Sequence, residues 1–221
     1  MKTKIGIFGG TFNPVHYGHL RCAEEVRERL NLDLILFVPA KNPPLKAKDI
    51  APPEQRYEML KLALRGNKHL RISDIEYCLT GRSYTVRTIE TLQGLYPDAE
   101  YYFVLGIDAF LDIPNWWHPE RLIAFSNFVI TSRPGYRFSA LKESPYLRPG
   151  IRVLAKMDRR ERPFFRTKLV SGRKAVLLHL IPVGISSTEI RRLVRNGKSV
   201  KYLLPPKVES FIISNKLYTG R

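Results

Sequence analysis

The stretch that decides the fold is Lys4–Leu20, KIGIFGGTFNPVHYGHL. It opens on a short apolar run that is typical of a buried strand. A pair of glycines and a proline then interrupt regular structure. A helical pattern begins at His16 and continues to Leu32, with apolar side chains on one face. The stretch therefore predicts a strand, a turn and a helix whose first turn carries two imidazoles, those of His16 and His19.

Strands and helices alternate along the rest of the chain. The predicted strands after the first cover residues 34–38, 70–75, 101–105, 128–131 and 175–181. The predicted helices after the first cover residues 54–64, 85–96, 119–125, 187–195 and 206–215. Such alternation predicts right-handed β-α-β units. We therefore expect a Rossmann-like, doubly wound α/β fold, with a mainly parallel sheet, helices on both faces and a small C-terminal helical part. Its ligand site should lie beyond the carboxyl ends of the strands, where the strand order reverses.

One domain is expected to span residues 1–221. Two parts of it stand apart in composition. Residues 137–174 are basic and poorly patterned, and we treat them as a variable segment that could be a mobile loop or an oligomer contact. Residues 186–221 form the C-terminal helical part.

Charge narrows the class of partner. The net charge is +17, and residues 133–174 contribute +10 of it, with thirteen Lys or Arg against three Asp or Glu. Such a balance fits nucleic acid, an anionic membrane surface or a polyphosphate substrate, and it equally fits a solvated basic surface. Two cysteines make no disulfide framework, so a reducing cytoplasm is expected. Neither a signal peptide nor an apolar run of about 18 residues is apparent, so no membrane contact is expected.

The spacing of the two histidines excludes the first explanations for them. A zinc pair on a helix usually has its histidines four residues apart with an acidic residue between them, whereas His16 and His19 are three apart with Tyr17 and Gly18 between. A nucleophile and base pair needs a nearby Ser or Cys and an orienting group, and nothing near makes that case. An anion site remains, in which backbone N–H groups, the helix dipole and both imidazoles face phosphate oxygens. The alternative is a glycine and proline turn with incidental histidines.

A second motif lies near the C-terminus, at Ile185–Arg191, ISSTEIR. Ser186 and Glu189 have the spacing of a capping box, which explains those two residues structurally. It does not explain Arg191, one turn after Ser187 on the same face. Hydroxyls and amides at a helix start with an arginine behind them would form a second phosphate cradle.

Together these two motifs resemble the nucleotidyltransferase superfamily with the HxGH signature, whose members transfer a nucleotidyl group to a phosphate-bearing acceptor and release pyrophosphate. Within it, the chain is similar to the nicotinate-mononucleotide adenylyltransferases from residue 4 to about 136 and from about 175 to the end. The stretches that carry this are PAKNPPLK at 39–46, SYT at 83–85, GID at 106–108 with Trp116, and SRPGY at 132–136. Two residues depart from the family: Asn13 stands where Asp is frequent, and Leu45 where a His often follows the prolines.

The resemblance implies roles for particular residues. The catalytic residues would be His16, His19 and Arg191. ATP would be bound by these three together with Gly9, Thr11, Phe12, Gly106, Asp108, Ser187 and Thr188. Nicotinate mononucleotide would be bound by Lys46, Thr85, Trp116, Trp117 and Arg133.

Two of these roles have physical reasons and alternatives. An indole such as that of Trp116 stacks well on a flat, cationic pyridinium ring, and the loop-like setting of Trp116 favours ligand contact over a place in the core. Asp108 follows a strand and a glycine, as a partner of ribose hydroxyls would, although it could also be a helix N-cap.

The implied reaction joins ATP and nicotinate mononucleotide into nicotinate adenine dinucleotide (deamido-NAD) with release of pyrophosphate, a step of NAD biosynthesis. The acceptor phosphate is already anionic at neutral pH, so no protein base is needed. Mg²⁺ is expected to arrive with ATP, without a dedicated protein ligand. A homo-oligomer is possible.

Two alternatives stay open. The first is an adenylyltransferase that acts on nicotinamide mononucleotide or phosphopantetheine. The second is a nucleic-acid-binding protein that uses the basic segment 133–174, in which five aromatic side chains are available for stacking: Tyr136, Phe138, Tyr146, Phe164 and Phe165. No nucleic-acid motif accompanies that segment, so nucleic acid is not the expected partner.

Overall fold

The structure is a computed structural model that describes residues 2–43 and 50–219. Within these ranges the strands are β1 (Lys4–Gly10), β2 (Leu34–Pro39), β3 (Leu70–Ile72), β4 (Glu100–Gly106), β5 (Asn127–Thr131), β6 (Phe164–Lys168) and β7 (Lys174–Leu178). The α-helices are α1 (Tyr17–Leu30), α2 (Pro53–Leu64), α3 (Ile75–Cys78), α4 (Thr85–Leu95), α5 (Ile107–Asp112), α6 (Pro119–Phe125), α7 (Ile151–Asp158), α8 (Ser187–Arg195) and α9 (Pro206–Ser214). Two 3₁₀ helices cover Ile113–Asn115 and Phe138–Glu143.

The strands of the described residues form one sheet in the order β3-β2-β1-β4-β5-β7-β6. All neighbours are parallel except β6 and β7, which are antiparallel. The chain leaves β1 toward β2 on one side and returns to pair β4 on the other side, so the order reverses between β1 and β4. Ligands of open α/β sheets bind at such a switch point. The predicted Rossmann-like fold with a mainly parallel sheet is confirmed.

Both faces of the sheet are buried, as the nearly continuous apolar strands predict. Alternate residues of β4 point to opposite faces: Phe103 lies in one core cluster and Val104 in the other. Helices α3 to α7 contribute to the first cluster, and helices α1, α2, α8 and α9 contribute to the second. Gly6, in the middle of β1, allows β1 and β2 to pack closely, since a Cβ added to it would lie 2.4 Å from Ile35 Cδ1. Helices therefore cover both sides, and α8 and α9 pack onto the same sheet.

Two predicted boundaries were wrong for local reasons, and helix α5 was not predicted. The strand predicted over 70–75 ends at Ile72, because the Ser73 hydroxyl accepts the N–H of Ile75 (3.3 Å) at the start of α3. β1 continues through Gly10, so the two glycines end the strand instead of making the turn. Helix α5 begins directly after β4, and the sequence pattern did not indicate it.

The basic segment 137–174 is built into the sheet, so its description as poorly patterned, or as a mobile loop, was wrong. It forms the second 3₁₀ helix, α7 and β6, and β6 pairs with β7 along the sheet edge. Its apolar residues enter the first core cluster, among them Phe138, Leu154 and Met157, which are at most 1% exposed. Its charged side chains remain at the surface between these buried positions, so a local charge of +9, from twelve Lys or Arg against three Asp or Glu, is compatible with a packed segment.

The aromatic residues of the basic stretch 133–174 are largely unavailable for base stacking. Phe138 and Tyr146 are buried, at 1% and 8% exposure. The guanidinium groups of arginines 166 and 162 already cover the rings of Phe164 and Phe165, at 4.8 Å and 5.1 Å from the ring centroids. Tyr136 is half-exposed. These contacts weaken the nucleic-acid alternative.

Across the two described ranges, no helix combines the length and apolar character that spanning a bilayer would need.

Candidate active site

The loop between β1 and α1 brings the two predicted imidazoles together. His16 is the N-cap of α1, with an extended backbone (φ −149°, ψ 170°). The His16 N–H donates to Nδ1 of His19 (3.3 Å), one turn into the helix. The two rings stack with centroids 3.8 Å apart and planes 28° apart. The spacing of three residues thus places both rings on one face of the helix start.

Both histidines are neutral at physiological pH. Burial, followed by the positive charge of Arg133, lowers the pKa of His16 from 6.5 to about 4. Burial, followed by His16 and then Arg133, holds the pKa of His19 well below its ordinary value. Because Nδ1 of His19 accepts a hydrogen bond, its proton lies on Nε2. Nδ1 of His16 is buried and has no hydrogen-bond partner among residues 2–43 and 50–219, which is typical of a functional site.

Two neighbours fix the position of these rings. Phe12 has a left-handed backbone (φ 47°), and its buried side chain packs edge-on against His19, with centroids 5.1 Å apart. Phe12 was predicted to contact ATP; the whole residue is 2% exposed, and that contact stays a prediction. Gly18 lies beside the other ring: a Cβ added there would be 2.9 Å from Nδ1 of His16 and 3.5 Å from the Ile185 carbonyl oxygen. The glycine of HxGH therefore makes room for its first histidine.

The second motif meets this loop at two points. The Ser187 hydroxyl donates to the carbonyl oxygen of Pro14 (2.8 Å). Nη1 of Arg191 donates to the carbonyl oxygen of Asn13 (2.8 Å). The bonded residues are 173 and 178 positions apart in the sequence. The structure thus places the start of α8 against the loop that carries the histidines.

The donors that α8 offers differ from the prediction in one respect. The Ser187 hydroxyl hydrogen is already committed to Pro14, so its backbone N–H is the donor left for a phosphate. Thr188 is exposed, and its Oγ1 lies 3.4 Å from Nη2 of Arg191. The cap itself is half of a capping box: Ser186 Oγ accepts from the Glu189 N–H (3.1 Å). The Glu189 carboxylate pairs instead with Arg192, three residues further along the helix.

Gly106 ends β4 and Asp108 lies in the first turn of α5, on the other side of the switch point. Oδ2 of Asp108 pairs with Nε of Arg133 (3.2 Å). Oδ1 of Asp108 is buried and has no hydrogen-bond partner within the described part of the chain. A Cβ on Gly106 would lie 2.5 Å from that oxygen, so the glycine permits the carboxylate to fold back. Arg133 was assigned to the acceptor side, which stays a prediction; here it pairs with Asp108, and its positive charge, besides burial, contributes to the lowered pKa of both histidines.

The three residues assigned to the pyridine ring have different environments. Thr85 is the first residue of α4 and is half-buried. The ring of its neighbour Tyr84 stacks on Trp117, with centroids 4.7 Å and planes 22° apart, which brings Trp117 to the start of α4. Trp116 is half-buried against Phe103, and its Nε1 donates to Asp112 (3.0 Å). Trp116 is thus anchored at one edge and packed on the core, while Trp117 is the more exposed indole, at 42%.

Known proteins share this chain's sequence and fold. A family model described as cytidylyltransferase-like matches residues 7–193. A protein of Geobacter sulfurreducens called probable nicotinate-nucleotide adenylyltransferase is 41% identical, over 97% of this chain and 98% of its own length. A protein of Geotalea daltonii with the same description is 40% identical, over 97% and 98%. The chain belongs to the nicotinate-nucleotide adenylyltransferase family. The resemblance seen in the two motifs is confirmed.

Solved structures carry the same fold. The chain matches Plasmodium falciparum nicotinic acid mononucleotide adenylyltransferase complexed with NaAD at a TM-score of 0.74 and 21% identity, over 98% of this chain and 97% of the other. A putative nicotinate-nucleotide adenylyltransferase from Vibrio parahaemolyticus matches at a TM-score of 0.65 and 20% identity, over 100% and 98%. At this level of identity the likeness concerns the fold of the adenylyltransferase.

The two departures from the family, Leu45 and Asn13, differ in what the structure describes of them. Lys46 and Leu45 lie outside the described residues, so the assigned contact of Lys46 with the acceptor stays a prediction. Asn13, which stands where Asp is frequent, is buried at 5% exposure. Its Oδ1 accepts from the Ala51 N–H (3.0 Å) and from the Tyr218 hydroxyl (2.8 Å). The uncharged amide oxygen of Asn13 thus accepts two hydrogen bonds, both from neutral donors.

Sequence reasoning missed Arg56, which supports the whole loop. It is fully buried in α2 and donates to the carbonyl oxygens of Thr11 (2.9 Å), Ala40 (2.6 Å) and Ala51 (3.0 Å). Its signal was available: Arg56 lies one turn before Met59 and Leu60 on the apolar face of α2, where a cation needs partners. Tyr218 was also missed, because a contact across 205 residues has no local pattern.

Proposed function

We propose that this protein transfers the adenylyl group of ATP to nicotinate mononucleotide, giving nicotinate adenine dinucleotide and pyrophosphate in the synthesis of NAD. One observation carries the proposal: α8 is bonded to the loop that holds His16 and His19, through Ser187 on Pro14 and Arg191 on Asn13. These groups line the carboxyl ends of β1 and β4, where the sheet order reverses. The names of the relatives support the choice of acceptor.

The chemistry fits a site without a general base. A phosphate oxygen of the acceptor forms a bond to the α-phosphorus of ATP, and the bond from that phosphorus to the bridging oxygen of the β-phosphate breaks. The attacking oxygen is already anionic at neutral pH, so no proton is transferred to the protein. What the site must supply is alignment of two anions and donors for the negative charge of the transition state.

The neutral histidines suit that task. The Nε2–H of His19 is a donor whose direction is fixed by the bond between His16 N–H and His19 Nδ1. Arg191 adds a cation that is anchored by Nη1 on the Asn13 carbonyl oxygen and by Nη2 on the Thr188 hydroxyl (3.4 Å), and its other N–H groups are left for phosphate oxygens. The backbone N–H groups of Ser187 and Thr188 at the start of α8 add donors and a favourable helix dipole. These groups would bind the triphosphate and stabilise the leaving pyrophosphate.

The remaining assigned residues divide between adenosine and the acceptor. Backbone groups of Gly9, Thr11, Phe12 and Gly106 would approach the nucleotide, and Asp108 would accept from ribose hydroxyls. For that contact the carboxylate of Asp108 must share or leave its pairing with Arg133, which is then free to meet a phosphate. The Thr85 hydroxyl, with the Trp117 amide, would donate to the nicotinate carboxylate, and Trp116 would contact the ring.

Nucleotidyltransferases generally use a divalent metal, and Mg²⁺ would enter with ATP. Within residues 2–43 and 50–219, no group of three or more His, Cys, Asp or Glu side chains is arranged to hold a metal ion. The side chains of the phosphate cradle are mainly nitrogen donors, whereas Mg²⁺ prefers oxygen. The ATP phosphates and water would therefore hold the ion, which would reduce the negative charge that the acceptor phosphate meets.

An acceptor competition tests the proposal. The purified protein is incubated with ATP, Mg²⁺ and one of three acceptors: nicotinate mononucleotide, nicotinamide mononucleotide or phosphopantetheine. Pyrophosphate release gives the rate, and chromatography identifies the product. We expect kcat/KM to be highest for nicotinate mononucleotide. A higher kcat/KM for either other acceptor would overturn the proposed acceptor, and release of no pyrophosphate with any of the three would overturn the reaction.

A further inference from the structure

The chain's C-terminal end returns to the active-site loop. After α9, Leu217 is buried in the second core cluster, and its N–H donates to the carbonyl oxygen of Ile212 (3.0 Å). This turn gives Tyr218 a left-handed backbone (φ 63°) and half-buries its ring. The Tyr218 hydroxyl then donates to Oδ1 of Asn13 (2.8 Å). A residue three positions from the end of the chain therefore contacts the turn that leads to His16.

Asn13 is the junction of three separate parts of the chain. Its Oδ1 accepts from Tyr218 and from the Ala51 N–H, and its carbonyl oxygen accepts from Arg191 (2.8 Å). It directly precedes Pro14, whose carbonyl oxygen holds the Ser187 hydroxyl. A shift of Asn13 would therefore displace the anchor of Arg191 and the start of α1 together.

A second layer stiffens the junction. The N–H of Ala51 serves Asn13, while its carbonyl oxygen accepts Nε of the buried Arg56 (3.0 Å). Nη1 of Arg56 also holds the carbonyl oxygen of Thr11 (2.9 Å) on the other side of the loop. Burial raises the pKa of the Tyr218 phenol, and the positive charges of Arg191 and Arg56 act in the opposite direction. The hydroxyl stays protonated and keeps its role as donor.

We propose that Tyr218 is a positioning residue for adenylyl transfer: through Asn13, it holds the guanidinium of Arg191 and the loop carrying His16 in the geometry that the transition state requires. This inference rests on the proposed function. A role in stability alone would have a different signature, because a clamp on the C-terminal end would lower the melting temperature and leave the turnover of folded enzyme unchanged. A positioning role lowers kcat, since small misplacements of catalytic groups are costly.

The substitution Tyr218→Phe tests this, because it removes one oxygen and keeps the ring. We expect kcat with ATP and nicotinate mononucleotide to fall about tenfold, measured at a temperature where circular dichroism shows the variant folded. The matched control is Tyr202→Phe, in the same C-terminal part, where the side chain is 88% exposed and the hydroxyl should not matter. A kcat of Tyr218→Phe within about twofold of wild type would overturn the inference.

A double-mutant cycle with Asn13→Asp shows whether the effect passes through Asn13. The Tyr218 hydroxyl would donate to a carboxylate in that background, and its removal would leave a buried charge less well solvated. The kcat loss from Tyr218→Phe should therefore be several-fold larger in the Asn13→Asp background than in the wild-type background. Equal losses in both backgrounds would contradict the proposed route. If wild type forms no dinucleotide at all, the proposed function itself fails, a result that is distinct from either outcome of the variants.

Discussion

His16 donates its backbone N–H to Nδ1 of His19, and the two imidazoles stack with centroids 3.8 Å apart. This bond decides which nitrogen of His19 carries its proton, because an accepting Nδ1 leaves the hydrogen on Nε2. The pair therefore offers oriented neutral donors, in a place where burial and Arg133 keep both rings uncharged before ATP binds.

Two replacements of His19 distinguish the role of its Nε2–H donor from that of the rest of the ring. His19→Ala removes the Nε2–H, and loss of one such donor should lower kcat by about 10²–10³-fold. His19→Gln carries an amide nitrogen near the position of Nε2, so it should keep at least about ten times the activity of the alanine variant. Steady-state kinetics of both variants measure this. His69→Asn, at the amino ends of the strands, is the control and should match wild type. Equal activities of the Gln and Ala variants would contradict the Nε2 assignment.

Gly18→Ala should harm activity without harming the fold. Alanine is favoured over glycine in a helix by about 1 kcal/mol, but here its Cβ would lie 2.9 Å from Nδ1 of His16. The ring must move, so we expect kcat to fall about tenfold while the melting temperature changes by no more than about 4 °C. Gly94→Ala in α4 is the matched control, since a Cβ there meets nothing within 4 Å. Unchanged turnover in Gly18→Ala would show that the position of His16 is not critical.

The sequence indicates those parts of this site whose chemistry is local. The apolar run of β1, the break before His16 and the helix that follows are readable because each depends on neighbours in the chain. That the two motifs belong to one site was inferred from the resemblance to a family. In the structure the two motifs are joined by the hydrogen bond from Arg191 to the carbonyl oxygen of Asn13. Asp108 was singled out because a polar residue after a buried strand lies at the binding edge of such sheets, and its contact with ribose stays a prediction.

What the sequence did not indicate depends on distant contacts. The sequence around Tyr218 does not indicate its contact with Asn13, because that contact depends on the backbone turn that brings Tyr218 close to Asn13. β6 was missed because an edge strand is covered on fewer sides, and because its five residues, two adjacent half-buried aromatics followed by Arg, Thr and Lys, are too few to indicate a period. The placement of Arg133 beside Asp108 likewise depends on how β4 and β5 align, which the motif does not specify.

The buried His16 should make stability depend on pH. Its pKa is about 4 in the folded protein and 6.5 when unfolded, so the unfolded chain binds more protons between these values. Above pH 6.5 the titration of His16 does not reduce the free energy of unfolding. As pH falls from 6.5 toward 4, His16 is protonated in the unfolded chain but not in the folded protein, so the free energy of unfolding decreases. Between pH 7 and 4.5, His16→Gln should therefore lose about 2 kcal/mol less unfolding free energy than wild type. Urea denaturation at the two pH values measures this, with the exposed His118→Asn as control. Parallel losses in wild type and His16→Gln would contradict the lowered pKa.

Arg191 and Ser187 should respond differently to substitution. In Arg191→Lys a single ammonium cannot hold the Asn13 carbonyl and also present a flat fork to phosphate, so kcat should fall at least about tenfold. Ser187→Ala loses a bond to Pro14 and keeps its backbone N–H, so the main effect should be about 1 kcal/mol of stability. Kinetics and urea denaturation of both variants distinguish the two patterns. Arg192→Lys, which pairs with Glu189 at the exposed surface, should leave both quantities unchanged. A larger kcat loss for Ser187→Ala than for Arg191→Lys would reverse the assignment.

Thr85 should carry part of the preference for a carboxylate over an amide on the pyridine ring. Its hydroxyl lies at the start of α4, where the helix dipole also favours an anion. Thr85→Val removes a hydrogen bond to a charged group, so kcat/KM for nicotinate mononucleotide should fall about tenfold. The value for nicotinamide mononucleotide should change by less than about twofold, so the ratio of the two narrows. Thr91→Val, nearly two turns further along α4, is the control, since its hydroxyl donates back to the carbonyl oxygen of Arg87 in the same helix. Equal losses with both acceptors would mean that Thr85 supports the pocket without reading the carboxylate.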